Sequence, residues 1–192
     1  MDSFPLPMEI QIRSLDHLRS VLSENQIDYS NWGGNATKPI EKLWEEIELD
    51  ETRIRTEEGD IFRVVGVANV FVKYRSAEGE LLQLWEERQE FANGSSRPRN
   101  NAFLAEKGSS TEDYLEWAAR ALKEELGLTI PTSRIQTLCN KMKPDENIIT
   151  SFPGLKSQYH IFEFEVLLTD DEFKEEGYVE EQKNKKTFFV WR

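Results

Sequence analysis

Glu124 and Glu125 are adjacent carboxylates near the end of the run 112–128, Glu-Asp-Tyr-Leu-Glu-Trp-Ala-Ala-Arg-Ala-Leu-Lys-Glu-Glu-Leu-Gly-Leu. Within that run Leu115, Ala119, Leu122 and Leu126 recur at helical spacing and predict the buried stripe of one amphipathic helix. Arg120 and Glu124 lie one turn apart, close enough to pair. Glu125 sits about 100° further round, so the two acids fan out from the helix end instead of stacking. Gly127 supplies the left-handed residue that ends a helix at little cost. Neighbouring glutamates on a rigid helix are suitable oxygen ligands for a hard divalent cation. The same pair also suits a solvated acidic face with no ligand at all.

Other side chains could serve the same chemistry. Arg97 and Arg99 stand just ahead of this run, and a guanidinium grips phosphate oxygens in a fork. Both also fit an ordinary charged surface loop. In Tyr159-His-Ile-Phe-Glu-Phe-Glu165, His160 alternates onto the face of Phe162 and Phe164, while Glu163 and Glu165 share the other. The histidine reads as a hydrogen-bonded core residue before it reads as a catalyst. Trp117 would narrow a site, stack a base or pack against the helical arm. Cys139, in an apolar–polar alternation, reads as a packed thiol.

The run 106–128 resembles the signature of the Nudix hydrolases: a glycine, five residues, a glutamate, seven residues, then Arg-Glu-aliphatic-x-Glu-Glu-x-Gly-aliphatic. Glu112 falls at the first glutamate, and Arg120, Leu122, Glu124, Glu125, Gly127 and Leu128 complete the second half in register. Two positions depart from it. Glu106 replaces the leading glycine, with Gly108 two residues later, and Ala121 replaces the glutamate after the arginine. In the family that glutamate often ligates metal or acts as base.

The resemblance implies a Nudix-like α/β/α sandwich with a mixed sheet. It also implies metal-dependent cleavage of a pyrophosphate bond in a nucleoside diphosphate linked to another group. Mg²⁺ or Mn²⁺ would sit on Glu124 and Glu125. Arg120 would orient Glu112 or Glu124, and Lys107 matches a common basic residue of the family, joining Arg97 and Arg99 as a substrate contact. With Ala121 in place, the base must be Glu106, Glu163, Glu165 or one of the paired acids. The alternative is a catalytically weakened Nudix-like module that binds nucleotides or proteins. A third reading is an acidic helical scaffold without a ligand.

These residues need elements to hold them. Residues 1–57 are expected to form a helical N-terminal extension ahead of a Nudix-like domain over 58–192. In it, Leu15, Leu18 and Leu22 follow a Ser14 cap, and Ile40, Leu43, Trp44 and Ile47 follow Pro39. Its two apolar faces would pack on the domain or on a second subunit, giving a homodimer. From about Asp60 the period changes to two, and Phe62, Val64, Gly66, Ala68, Val70 and Val72 are expected to face the core. A turn at 77–79 joins this strand to a second over 81–91 in a hairpin. Residues 93–101 read as a polar loop. Further strands are expected at 135–138, 159–168 and 186–191, and the acidic run 170–176 as a surface helix or turn. The stretch 140–156 reads as a specificity loop.

Composition narrows the class. A chain of 192 residues with 38% hydrophobic content and five Trp, five Tyr and eleven Phe can support a core. A net charge of −12 disfavours nucleic-acid polymers and anionic membranes. No apolar run reaches the roughly 20 residues that span a bilayer. The first eight residues lack the basic-then-apolar order of a signal peptide. The single Cys139 excludes an internal disulfide and fits a reducing compartment. A cytoplasmic protein with a nucleotide-type substrate is the expectation.

Overall fold

Among the described residues, alternating and bipartite apolar patterns become ten strands and three α-helices, a mixed α/β architecture as expected. The computed structural model describes residues 8–34, 37–109, 112–144 and 151–192. The chain divides into two compact units, one of 1–66, 107–111 and 141–161, the other of 67–106, 112–140 and 162–192.

The first unit begins with strand β1 (Met8–Ile10), helices α1 (Leu15–Glu24) and α2 (Ile40–Glu48), and strand β2 (Thr52–Glu57). Residues 8–57 therefore supply two strands beside the two expected helices, and the extension is not purely helical. Ser14 caps α1, its hydroxyl accepting from the His17 N–H at 3.1 Å. β1 pairs antiparallel with β2, and β2 with the first part of β3 (Asp60–Arg75). Leu18 and Leu22 of α1, Leu43 of α2, Ile54 of β2 and Ile61 of β3 close over Phe152 and Leu155. Beside them the Glu46 carboxylate takes Arg63 at 2.7 Å, Lys38 at 2.6 Å, Lys107 at 2.7 Å and the Thr52 hydroxyl at 3.1 Å.

The second unit takes the rest of β3, then β4 (Leu81–Phe91), β5 (Ser96–Asn101), β6 (Leu104–Gly108) and helix α3 (Tyr114–Leu126). A 3₁₀ turn at Thr132–Arg134 leads to β7 (Gln136–Pro144), β8 (Lys156–Leu168), β9 (Tyr178–Gln182) and β10 (Lys185–Trp191). β6, β7 and β8 each straddle the unit boundary, as β3 does. β10 pairs antiparallel with β4 on one side and β9 on the other. Gly177 makes that last pairing feasible: at φ +80° it leads into β9, and a Cβ there would run into the Phe189 carbonyl oxygen. Trp117, Ala118, Ala121, Leu122 and Leu126 of α3 pack with Ala68, Val70, Val72, Leu84, Phe164 and Phe189.

Several expectations change in physical detail. On β3 the buried residues are Ile61, Arg63 and Val65, then Ala68, Val70 and Val72, with Asn69 buried between them. The expected face is right after Gly66 and inverted before it, because the alternation slips by one residue there. The polar loop over 93–101 contains strand β5, held to β4 by backbone pairing. Strand β9 lies where no strand was expected. The acidic run 170–176 is turn, and Glu172 within it pairs with Arg134 at 2.6 Å. Of the expected specificity loop, residues 145–150 lie outside the described residues. Residues 1–7, whose composition bears on a signal peptide, do so too. Among the described residues no helix is long and apolar enough to cross a membrane.

Candidate active site

Helix α3 is built to hold its last turn still. Asp113 and Glu116 form a reciprocal capping box at its start, and Gly127, at φ +71°, terminates it. The Glu124 and Glu125 side chains at that end line a cleft of about 290 Å³ in the second unit. Strands complete the walls: Glu86 and Gln89 from β4, Arg99 from β5, Ala105 and Glu106 from β6, Glu180 and Gln182 from β9, Lys185 and Thr187 from β10. Five glutamates therefore face two cations.

Pairing register explains how such distant residues meet. Thr187 lies opposite Gln89 on one side and Glu180 on the other, a row of three across β4, β10 and β9. Glu86 and Gln89 are three apart and would face opposite sides of a regular strand. A β-bulge at this point, between Phe188 and Phe189 in the β10 register, absorbs the extra residue, and both side chains are buried toward the cleft. Bulges re-aim side chains in this way.

Each carboxylate has its own environment. Glu86 accepts from Arg99 Nε, Asn101 Nδ2 and Gln89 Nε2, each at 2.9 Å, so its charge is satisfied. Glu106 lies 3.3 Å from the Arg120 guanidinium, which also holds Glu112 at 2.9 Å. Arg120 thus ties the helix to the strand that carries Glu106. Glu180 accepts from Gln182 at 2.5 Å and has Lys185 at 3.9 Å. Burial pushes the Glu125 carboxyl up to about 8, and the charges of Glu180, Glu86 and Glu106 add to it, while Lys185 opposes them. The donors are all hard oxygens or amides, a set that suits Mg²⁺ or Mn²⁺ and not a soft metal. Among the described residues no three His, Cys, Asp or Glu side chains are drawn close enough to cage an ion.

The other residues singled out from the sequence lie elsewhere or are engaged. Glu163 accepts from the exposed Cys139 thiol at 3.0 Å, and Glu165 pairs with Lys73 at 2.5 Å. Neither lines the cleft. Cys139 is thus on the surface and not packed. Arg99 reaches the cleft but is paired with Glu86, while Arg97 donates to Gln89 at 2.6 Å. Lys107 belongs to the first unit, on Glu46 and, at 3.4 Å, Glu51. Trp117 is core, edge-on to Phe162 at 5.5 Å. His160 Nε2 is buried without a hydrogen bond, and burial with the Arg55 charge holds its pKa below the usual value. Ala121 is fully buried. Sequence reasoning missed Glu86, Glu180, Gln182, Lys185 and Thr187. Only strand pairing brings them to α3, and no local pattern announces it.

No family model matches the chain, and no curated protein matches it in sequence. Among solved structures it is similar to a MutT/nudix family protein from Enterococcus faecalis, with 14% identity and a TM-score of 0.46 over 94% of this chain. The chain spans 56% of the length of that protein. It is similar to an Ap4A hydrolase of C. elegans, solved as a binary complex, with 16% identity and a TM-score of 0.35 over 64% of this chain and 78% of that one. A third is the NUDIX domain of Shewanella oneidensis NrtR, solved with ADP ribose, with 12% identity and a TM-score of 0.35 over 66% and 70%. The solved structures similar to this chain thus include Nudix/MutT proteins, at identities of 12 to 16%.

Proposed function

We propose that the acidic cleft binds Mg²⁺ or Mn²⁺ through Glu124 and Glu125 and hydrolyses a pyrophosphate bond in a nucleoside diphosphate linked to another group. The observation that carries this reading is the convergence of five glutamates on one cleft, with Glu125 half-buried among like charges that, with its burial, lift it to about 8. A protein gains nothing in stability from such a group, whereas a cation would relieve it. A bound divalent ion would offset charge on the phosphate oxygens as the transition state forms. Glu106 would take the proton from the attacking water; its place in the lining of the same cleft and its ion pair with Arg120 support that role. Water attacks one phosphorus, the anhydride P–O bond breaks, and the second phosphate leaves with the bond electrons. Arg120 acts through Glu106 and Glu112 and does not touch substrate.

A second reading, a nucleotide-binding module with little turnover, is favoured by the burial of Ala121, which leaves that turn of α3 without a carboxylate. A magnesium-dependent hydrolysis screen over nucleoside triphosphates, nucleotide sugars, dinucleotides and diphosphate coenzymes separates the two. Turnover on one class, abolished in Glu125→Gln, supports the hydrolase. Metal-dependent nucleotide binding without turnover on any class supports the module.

A further inference from the structure

The cleft has one feature that an acidic metal site does not need. Thr187 is only 2% exposed, lines the cleft, and its hydroxyl has no hydrogen-bond partner. Buried hydroxyls are nearly always satisfied, and an orphan in the wall of a cleft is a donor that a ligand there can use. Two residues earlier on the same face of β10 stands Lys185. Of the two cations lining the cleft, Arg99 is bound to Glu86 at 2.9 Å, while Lys185 has Glu180 only at 3.9 Å. The basic residues that the sequence offered for phosphate, Arg97, Arg99 and Lys107, are held by Gln89, Glu86 and Glu46.

We infer that Lys185 and Thr187 form the anion-gripping wall of the cleft, donating to phosphate oxygens of a diphosphate. The inference rests on the reading of the cleft as a cation site, because five glutamates would repel a bare diphosphate. The two strand donors line the same cleft as the helix-end carboxylates. An ion held by Glu124 and Glu125 would offset part of the diphosphate charge, while Lys185 and Thr187 would donate to its oxygens. The wall contains no aromatic ring, so it selects for the phosphates and leaves the nucleobase to other surfaces.

The test is calorimetry on the full chain with Mg²⁺ alone, then with imidodiphosphate, a non-hydrolysable pyrophosphate analogue, at saturating Mg²⁺. Thr187→Val should bind Mg²⁺ like the wild type and Lys185→Met at least as tightly, since it removes a cation from among five glutamates. Both should lose about tenfold or more in imidodiphosphate affinity, since each removes a charged or charge-assisted hydrogen bond. Thr187→Val should also keep or raise the thermal midpoint, because the hydroxyl it removes bonds to no other group of the protein. Glu125→Gln tests the cation reading separately, through the Mg²⁺ titration. Imidodiphosphate affinities within twofold of wild type in both variants would overturn the wall. So would a wild type that takes up Mg²⁺ and no imidodiphosphate. A Thr187→Val protein that melts earlier and binds normally would reassign that residue to structure. If the wild type takes up no Mg²⁺, the cation reading fails, and lack of imidodiphosphate binding then removes the wall with it.

Discussion

Ala121 is fully buried among the residues of the second unit's core. At that position the family signature carries a glutamate, so restoring it looks like a repair. The packing argues the opposite: an ionised carboxylate at a dry site costs several kcal/mol unless paired. Ala121→Glu should therefore lower stability by at least about 3 kcal/mol in denaturant titration, with no gain in turnover. Glu46 is the converse case. Burial alone would raise its carboxyl, but Arg63, Lys107 and Lys38 outweigh that and hold it at about 2 against a usual 4.5. A depressed acid stabilises the fold above its unfolded pKa, and that contribution disappears as pH falls through the folded value. The stability advantage of wild type over Glu46→Gln should be constant above about pH 4.5 and shrink toward pH 2. An advantage independent of pH across that range would contradict the assignment.

At the scale of elements, α2 owes its place to one residue more than to its aromatic. Leu43 is fully buried and Trp44 only half-buried. Leu43→Ala should cost roughly 2 to 5 kcal/mol in chemical unfolding, and more than Trp44→Ala. The reverse order would place the tryptophan at the centre of that cluster. The helices were readable from the sequence because a Ser14 cap, Pro39 and Gly127 bound apolar stripes of helical period. Strands rich in apolar residues were readable as strands, but not always in which face they bury. β3 carries apolar residues on both faces, so its slip at Gly66 left no trace. β5 is rich in Arg, Asn and Pro, and β9 is Tyr-Val-Glu-Glu-Gln. Neither shows the alternation of a half-buried strand, since their pairing rests on backbone bonds and neighbouring charges. The candidate site divides the same way. Its helical carboxylates stand in one local run, while its strand residues depend on register between segments some hundred positions apart.

For the molecule as a whole, a net charge of −12 with five glutamates in one cleft stores repulsion that cation uptake would release. A ligand that binds only the folded state at a hundred times its Kd adds about 2.7 kcal/mol. Millimolar Mg²⁺ should then raise the thermal midpoint by several degrees over EDTA in wild type. Glu125→Gln should melt above wild type in EDTA and respond little to Mg²⁺, since it removes both the repulsion and the ligand. A wild-type melting curve unmoved by Mg²⁺ and Mn²⁺ would contradict the cation site.

The bulge on β4 also governs how chain length can vary. Arg88 pairs with Phe188 and Glu86 with Phe189, leaving Glu87 without an opposite number on β10. Glu87 therefore works as an expansion joint. Removing it would close the irregularity and leave Leu84, Glu86 and Gln89 facing as they do now. Removing Trp85 instead would turn Leu84, only 2% exposed, to the opposite side. A chain lacking Glu87 should fold with a modest loss in thermal midpoint, and one lacking Trp85 should fail to accumulate as soluble protein. Insertions and deletions that survive in this strand should cluster at that one position.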